Sequence, residues 1–297
     1  MPHSQALNGE PPEWFNWALA QPCESGFVTV QGANIEWAAW GERGQPGILL
    51  MTGNGAHVGW WRAIAPFLAK DHRVAALSWS GMGQSDWREA YAPDLFQAEA
   101  VAVAEEAGLF EGDIRPAFVG HSFGGFITVT AAANIGQHLR GAIFVDARLR
   151  TRRSWGAAAD VVPPYRIYAT REEAIARFRL QPAQPQANRY LIDMLADEAL
   201  CQTAGGWTWR ADPDIRAKTE LGEDLTGLIG MAQCPLAFVR GELSATVTDQ
   251  IWEELKAVAS PGTPFIEIPA AHHHVMADQP IALIATLRAL LAAHFTE

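Results

Sequence analysis

The stretch Val119-Gly120-His121-Ser122-Phe123-Gly124-Gly125 lies between an apolar run at residues 115–119 and a run of small residues at 126–133. This order predicts a strand, a sharp turn and a helix, with Ser122 at the apex of the turn. Glycine stands two residues before and two residues after the serine, where a side chain in a tight turn would collide with the neighbouring strand or helix. The G-x-S-x-G pattern is typical of a nucleophile elbow, which raises a serine oxygen above a sheet edge and lets the next N–H bind an oxyanion.

The pentapeptide alone is weak support, because the chain contains 26 glycines. An ordinary glycine-rich turn between a strand and a helix would carry the same letters. A serine becomes a good nucleophile only when a base takes its proton and a third group holds that base. The rest of the chain must supply both groups.

The composition indicates a large folded domain. Of the 297 residues, 49% are hydrophobic and 19% are charged, which predicts a sizeable buried core and argues against global disorder. The formal net charge is −11, so a nucleic-acid surface is not expected, and neutral or small substrates are favoured. The three widely spaced cysteines, Cys23, Cys201 and Cys234, form neither a zinc pattern nor a disulfide framework.

The N-terminal residues 1–10 lack the basic and apolar regions of a signal peptide. No uninterrupted apolar stretch approaches the ~20 residues that a membrane span requires. Together with the cysteine spacing, these features predict a cytoplasmic protein that contacts neither membrane nor nucleic acid. We expect a small-molecule substrate, no cofactor, no metal, and a monomer or homodimer.

Short apolar strands alternate with helices along most of the chain, after a short first helix that residues 11–13 open and that carries an apolar stripe to residue 19, and a β-hairpin at residues 27–40. Further strands are predicted at residues 47–51, 73–78, 115–119, 141–145, 235–240 and 264–268, and helices at 60–69, 94–108, 126–133, 249–258 and 280–294. This alternation indicates a parallel sheet covered on both faces. It stops between residues 147 and 233, where helical patches at 171–179 and 187–200 and no clear strand predict a helical cap. The cap would interrupt a core formed by residues 1–146 and 234–297.

A histidine-rich loop, Ala271-His272-His273-His274, follows the last predicted strand and offers a base for Ser122. Three histidines also suggest a metal site. Three consecutive loop residues cannot all reach one ion, however, and no partner cluster lies nearby in the sequence. Solvated loop histidines are the other alternative.

Together these motifs resemble the α/β-hydrolase fold family over nearly the whole chain, from Phe27 to Phe295. Residues 50–55 match the family's oxyanion loop, residues 81–86 match its G-x-G-x-S turn, and residues 273–280 match its H-x-x-x-x-[DE]-x-P ending. The last match selects His273 over its two neighbours. The resemblance implies an α/β-hydrolase fold: a mostly parallel central sheet flanked by helices, with a helical cap, in a serine esterase-like enzyme.

The resemblance also implies the roles of four residues. Ser122 would be the nucleophile and His273 the base, while the backbone N–H groups of Asn54 and Phe123 would form the oxyanion hole. Thr52 stands where the oxyanion loop of this family often begins with histidine. Because the donor is a backbone group, we expect the oxyanion hole to remain intact.

The third group, the carboxylate that would hold His273, is not assigned by the sequence alone. The family's G-x-x-D, at the strand after the cap, here ends in Ser244, which cannot carry a charge. Three carboxylates remain: Asp146 at a strand end, Glu242, which we expect to point away, and Asp249, which helix capping would explain. We favour Asp146, since the carboxyl edge of a parallel sheet is where such folds place reactive groups. An ion pair between Asp146 and Arg148 is the alternative.

Aromatic residues in and below the predicted cap suggest an apolar cleft for acyl or aryl groups, although the cap's own core would need some of them. The candidates for substrate contact are His57, Trp60, Trp79, Trp155, Trp207 and Trp209. We therefore expect a hydrolase that cleaves a carboxylic ester through an acyl-enzyme. Two alternatives stay open: cleavage of a lactone, thioester, amide or carbon–carbon bond by the same residues, and a ligand-binding protein without turnover.

Overall fold

The structure, a computed structural model, describes residues 10–149, 166–219 and 224–295. Its strands are β1 (Glu24–Val30), β2 (Ala33–Trp40), β3 (Gly47–Met51), β4 (Arg73–Leu77), β5 (Ala117–His121), β6 (Gly141–Val145), β7 (Leu200–Thr203), β8 (Gly206–Trp209), β9 (Leu236–Gly241) and β10 (Phe265–Ile268). Its helices are α1 (Glu13–Leu19), α2 (Ala65–Leu68), α3 (Pro93–Glu106), α4 (Phe123–Ile135), α5 (Arg171–Arg177), α6 (Arg189–Glu198), α7 (Ile215–Lys218), α8 (Asp249–Val258), α9 (Val275–Asp278) and α10 (Pro280–Ala293). Within those residues, no helix combines the length and the apolar character needed to cross a bilayer.

Within the described residues, eight strands form one sheet in the order β1-β2-β4-β3-β5-β6-β9-β10. The pairs β1–β2 and β2–β4 are antiparallel, and all other neighbouring pairs are parallel. The central strands β3, β4, β5 and β6 are buried along their whole length, as expected for parallel strands that are covered on both faces. The prediction of a mostly parallel α/β sheet is therefore confirmed.

Two layers of apolar side chains hold the helices on this sheet. On one face, Phe96 of α3 and Ile127 of α4 belong to the same buried cluster as Phe118 of β5. On the other face, Leu287 of α10 clusters with Val119, the next residue of β5. Alternate residues of a single strand thus anchor both layers, because successive side chains of a strand point to opposite faces.

The carboxyl ends of the parallel strands bring the predicted functional residues to one edge of the sheet. Strand β3 ends directly before the loop of residues 52–56, β5 ends directly before Ser122, and β6 ends directly before Asp146. Strand β10 leads into the loop that contains His273. Because these strands run parallel, loops that are distant in sequence meet at this edge.

The helix predicted at residues 60–69 does not form as one piece. A 3₁₀ turn covers Val58–Trp61, and α2 begins only at Ala65. Pro66 lies in the first turn of α2. Proline lacks an N–H and clashes with the carbonyl four residues earlier, so a helix that started at residue 60 could not continue through it.

The prediction of no strand between residues 147 and 233 is wrong. Strands β7 and β8 form an antiparallel hairpin in which Leu200 pairs with Trp209 and Thr203 pairs with Gly206. Gly206 has a φ of 134°, which favours glycine and allows the tight connection. Tryptophan and threonine, which fill β8, suit a half-buried strand.

Candidate active site

Ser122 adopts a strained backbone conformation between β5 and α4. Its φ is 51° and its ψ is −111°, values that a non-glycine residue keeps only when its surroundings fix them. A Cβ at Gly124 would lie 2.8 Å from the Met51 carbonyl oxygen, and a Cβ at Gly120 would strike the backbone of Gly124 and the side chain of Thr128. Both glycines of the G-x-S-x-G pattern are therefore required by close packing around the turn.

The structure brings Ser122, His273 and Asp146 into one hydrogen-bonded chain. The Ser122 Oγ lies 2.9 Å from Nε2 of His273, and Nδ1 of His273 lies 2.7 Å from Oδ1 of Asp146. A carboxylate only accepts, so the proton of the neutral imidazole is on Nδ1 and Nε2 accepts from the serine hydroxyl. His273 and Asp146 are buried, whereas Ser122 is partly exposed. The arrangement has the geometry of a nucleophile, a base and an acid that orients the base.

Asp146 alone among the three candidate carboxylates bonds to His273. The Oε2 atom of Glu242 accepts a hydrogen bond from the Ala270 N–H at 2.8 Å. Asp249 has a 91% exposed side chain and pairs with Arg240 at 2.6 Å. The contacts of Glu242 and Asp249 thus give both carboxylates other partners.

Ser244, which stands where the resemblance implies an aspartate, supports Asp146. Its Oγ donates to Oδ1 of Asp146 at 2.6 Å, and the Gly241 N–H donates to Oδ2 at 2.9 Å. The Ser244 Oγ also accepts hydrogen bonds from the N–H groups of Thr246 and Val247. No ion pair joins Asp146 to Arg148 in the described part of the chain, so these bonds and His273 account for its carboxylate.

The loop of residues 52–56 packs directly over the serine. Asn54 and Phe123, which carry the predicted oxyanion donors, line the same cavity of about 430 Å³ as Ser122 and His273. The Asn54 N–H makes no hydrogen bond to any described residue. Trp79 fixes this loop through a 2.9 Å bond from its Nε1 to the Thr52 carbonyl. The loop therefore carries, at a residue that lines the cavity, a backbone donor without a partner among the described residues.

The residues predicted to contact the substrate do not all line the cavity around Ser122. Trp60 lines the cavity around Ser122 and its ring lies 4.9 Å from that of His274. Trp79 departs from the expectation of a substrate contact, because it is completely buried and its ring packs against Phe96 and Phe123. Trp155 lies outside the described residues.

Trp207 departs from the expectation of a substrate contact, because it is not among the residues that line the cavity around Ser122 or the cavity next to it. The Trp207 carbonyl accepts a hydrogen bond from the Tyr168 N–H at 2.8 Å. Trp209 and His57 line a second cavity next to the first. His57 is buried, accepts the Gly59 N–H on Nδ1 and donates from Nε2 to the Leu195 carbonyl. His57 therefore connects the region after the oxyanion loop to α6.

The sequence reasoning missed the grouping of His121, His273 and His274, whose nitrogens lie within 4.8 Å of one another. As expected, the three consecutive histidines do not converge on one point, because the ring of His272 is hydrogen-bonded to Asp278. His121 is the third member of the group instead. His121 donates from Nε2 to the His273 carbonyl, and both ring nitrogens of His273 are already bonded. The donor set fits an interlocked hydrogen-bond network better than a metal centre.

Two buried acceptors in the cavity lack a partner among the described residues. They are Oδ1 of Asn54 and Nδ1 of His274, whose Nε2 donates to the Gln181 carbonyl. Both residues line the cavity around Ser122. An unpaired buried acceptor costs about 1–3 kcal/mol, so a ligand or water that donates to these atoms would be bound favourably.

The buried histidines should make the protein less stable in acid. Burial lowers the pKa of His57, lowers that of His274 to about 3, and lowers that of His121 well below its usual value of 6.5. The unfolded chain binds protons at these groups near pH 6.5 while the folded chain does not, so the contribution of these histidines to the free energy of unfolding is at its full value above pH 6.5. It should fall below that pH by about 1.4 kcal/mol per pH unit for each histidine, until its folded pKa is reached.

Calorimetric unfolding scans between about pH 8 and pH 5 would measure this slope. His274→Phe should flatten the slope, since one of the proton-binding groups is gone from the unfolded chain. A midpoint temperature that stays constant below pH 6.5 would contradict the prediction.

Comparison with known proteins agrees with this architecture. A model of the alpha/beta hydrolase family matches residues 48–287. Among solved structures, an E-2-(acetamidomethylene)succinate hydrolase superposes with a TM-score of 0.80 at 20% identity and covers 92% of this chain and 100% of its own. An esterase of M. tuberculosis gives 0.74 at 22% identity with 94% and 96% coverage. A thioesterase domain from the curacin biosynthetic pathway gives 0.76 at 21% identity with 90% and 100% coverage.

One curated protein shows local similarity. A 2-heptyl-3-hydroxy-4-quinolone dioxygenase of Rhodococcus erythropolis is 39% identical over 57 residues. The match covers 18% of this chain and 21% of the dioxygenase. The chain thus matches about one fifth of the length of that relative.

Proposed function

The chain belongs to the alpha/beta hydrolase family, and on that premise we propose that it is a serine hydrolase that cleaves a carboxylic ester through an acyl-enzyme on Ser122. The observation that carries the proposal is the unbroken chain from the Ser122 Oγ through His273 to Asp146, with 2.9 Å and 2.7 Å between bonded atoms. The serine opens into a cavity, while the two groups behind it are buried. This combination suits nucleophilic attack on a bound carbonyl group.

In the first half of the reaction, the Ser122 Oγ attacks the ester carbonyl and its proton moves to Nε2 of His273. The carbonyl π electrons move to the oxygen, which becomes an oxyanion held by the N–H groups of Asn54 and Phe123. Phe123 is the first residue of α4, and the positive end of this helix also favours the negative charge. The tetrahedral intermediate then collapses, the carbon–oxygen bond to the alcohol breaks, and His273 gives its proton to the leaving alcohol.

In the second half, water replaces the alcohol. His273 takes a proton from the water, the resulting hydroxide attacks the acyl carbon, and the bond to the Ser122 Oγ breaks as the serine recovers its proton. Asp146 keeps its negative charge throughout and stabilises the imidazolium that forms twice per cycle. Its bonds to Ser244 and Gly241 hold the carboxylate in the plane that His273 requires.

We further propose that residues 147–233 act as a cap on the core formed by residues 1–146 and 234–297. Gln184 donates to Asp278, and Asn188 donates to the carbonyls of Ala277 and Asp278, directly after the histidine loop. The His274 N–H in turn donates to Gln184. These bonds attach the cap to the loop that carries the base. A movement of the cap when substrate binds would therefore shift the position of His273.

The proposed function is tested with an activity-based probe and a substrate panel. A fluorophosphonate should label Ser122, and labelling should fall in the presence of a p-nitrophenyl ester that the protein hydrolyses. Lactones, thioesters and amides in the same panel would identify another scissile bond, since the same residues can cleave each of them. If Ser122 is not labelled and no member of the panel is turned over, the proposal fails and a ligand-binding protein is favoured instead.

The local match to the quinolone dioxygenase favours a second candidate function. His273, held by Asp146, would take the hydroxyl proton of a 3-hydroxy-4-quinolone, and the resulting anion would form a carbon–oxygen bond from C2 to molecular oxygen. The peroxide would attack the C4 carbonyl carbon; cleavage of its O–O bond and of the C2–C3 and C3–C4 bonds would release C3 as carbon monoxide and leave both oxygen atoms in the ring-opened product. This chemistry needs a base in a buried site but no nucleophile. Ser122 would then be a hydrogen-bonding group.

Oxygen uptake in the presence of 2-heptyl-3-hydroxy-4-quinolone separates the two candidates. The second candidate requires uptake that survives Ser122→Ala and is lost in His273→Ala. The absence of uptake in the unmodified protein would leave the hydrolase proposal as the sole candidate.

A further inference from the structure

A second cavity of about 500 Å³ lies beside the one that contains Ser122. We call it the cap cavity; it is lined by Arg166, Arg177, Arg179, Arg210, Trp209 and Gly55, among others. Gln181 lines both cavities, and the oxyanion loop separates them, with Asn54 facing the serine and Gly55 facing the cap cavity. The two spaces are therefore neighbours that one extended molecule could occupy.

The charged side chains that line the described part of the cap cavity are arginines, and one of them, Arg210, also borders another cavity lined by Asp197 and Glu198. Four arginines line the cap cavity, and no aspartate or glutamate from the described residues does so. Their charge is opposite in sign to that of the whole chain, which has a formal net charge of −11. His57 also lines the cavity, but burial lowers the pKa of His57, so the charge comes from the guanidinium groups. A low-polarity wall beside such a cluster increases its attraction for anions.

None of these four arginines forms an ion pair with a described carboxylate. Elsewhere such pairs are frequent: Arg62 pairs with Glu198, Arg73 with Glu24, Arg88 with Glu99, Arg171 with Asp197, Arg189 with Asp193 and Arg240 with Glu267. Arg166, Arg177 and Arg179 are exposed and Arg210 is partly buried, so solvent reaches the cluster. Solvent and salt screen part of the repulsion among the four guanidinium groups, and a bound anion would relieve the rest.

Two of the arginines are held in place and two have their donors available. Arg210 donates from Nε to the Leu200 carbonyl, and Arg179 donates to the carbonyls of Ala176 and Phe178. The side chains of Arg166 and Arg177 make no hydrogen bond to any residue that the structure describes. A guanidinium group offers five N–H donors in a planar fork that matches a carboxylate or a phosphate.

Aromatic rings complete the wall of the cap cavity. The ring of Trp209 lies 5.7 Å from that of Phe178 and 6.0 Å from that of Tyr168. Apolar surface next to guanidinium groups suits an organic anion better than a bare inorganic ion, because the carbon skeleton of the organic anion can cover the rings.

We propose that the cap cavity binds an anionic group, a carboxylate or a phosphate, of the same substrate molecule whose carbonyl carbon is attacked by Ser122. This inference rests on the proposed hydrolase function and narrows its substrate class. The substrate is then an ester or thioester with a negative group several bonds from the scissile bond. The arginines fix its orientation, so that the reacting carbonyl group passes Gly55 and reaches the oxyanion loop.

Binding can be measured without turnover in the Ser122→Ala protein. Isothermal titration with hexanoate, hexyl phosphate and hexan-1-ol compares two anions with a neutral alcohol of equal chain length. At least one anion should bind about tenfold more tightly than the alcohol and weaken as salt is raised. The tighter of the two anions identifies the headgroup as carboxylate or phosphate. Equal affinity for all three ligands, or affinity that is independent of salt, would overturn the inference.

The double variant Arg166→Gln/Arg177→Gln locates the anion. In the Ser122→Ala background it should weaken binding of the preferred anion at least about tenfold, since two charge-assisted contacts are lost. Arg189→Gln is the matched control: it removes one positive charge from the same cap at an exposed side chain that pairs with Asp193. If the control and the double variant have the same effect, general charge attraction explains the binding and the inference is wrong.

Ester hydrolysis by the unmodified protein gives a second test of the anion site. The p-nitrophenyl ester of hexanoic acid and the mono-p-nitrophenyl ester of adipic acid differ mainly in a terminal carboxylate. We expect kcat/KM to be about tenfold higher for the adipate ester, and this preference to disappear in the arginine double variant. If both esters are hydrolysed with equal kcat/KM, the inference of an anion site is wrong but the proposed hydrolase function stands. Binding of the anion without hydrolysis of either ester would overturn the hydrolase but leave the anion site.

Discussion

Ser122→Ala is expected to lower kcat for a p-nitrophenyl ester by about 10³-fold to 10⁶-fold. The variant removes the only atom that can form the acyl-enzyme in the proposed reaction. His273 and the oxyanion loop would remain, and they could still assist a slow direct attack by water. Fluorophosphonate labelling should disappear together with turnover.

The control for this variant is Ser260→Ala, an exposed serine in the turn after α8. It should leave kcat and labelling as they are. Alanine can occupy the same backbone conformation as serine at residue 122 with similar strain, so the midpoint of unfolding should change little. If Ser122→Ala keeps more than about a tenth of kcat, Ser122 is not the nucleophile.

Asp146→Asn is expected to lower kcat about 10⁴-fold with little change in KM. An amide can donate to Nδ1 of His273, which stabilises the tautomer whose proton lies on Nε2 and which cannot accept from Ser122. An amide also leaves the imidazolium without a counter-charge. Asparagine tolerates the positive φ of 49° at this position, so the loss should come from the chemistry and not from a distorted turn.

The matched controls are Asp249→Asn and Glu242→Gln, which change the two other carboxylates that the sequence offers. Asp249 pairs with Arg240 at the surface, and such pairs contribute about 0–1 kcal/mol. Neither variant should change kcat by more than a few-fold. Loss of turnover in Asp249→Asn with normal turnover in Asp146→Asn would move the acid to the strand after the cap.

The parts of the fold that depend on local pattern could be predicted from the sequence. Strand β6 and helix α8 begin and end at the predicted residues. The sharp turn around Ser122 could be predicted because side chains two residues before and after the serine would clash with the neighbouring backbone, and both of these positions are glycine. The hairpin of β7 and β8 was missed, since four-residue strands have too few residues to show a period and their stability comes from pairing.

By itself, the sequence predicted Ser122 as the nucleophile and, through its spacing from Pro280, His273 as the base, and it showed the alternation of strands and helices that produces a parallel sheet. Those signals are local, because each depends on residues within one turn, strand or helix. Only the tertiary structure decided that Asp146, 127 residues before His273, is the carboxylate that contacts it, and that Ser244 supports that carboxylate. It alone showed that an acidic chain gathers four arginines around one cavity. Contacts of this kind depend on which strand ends and loops meet in space, and no spacing along the chain records that.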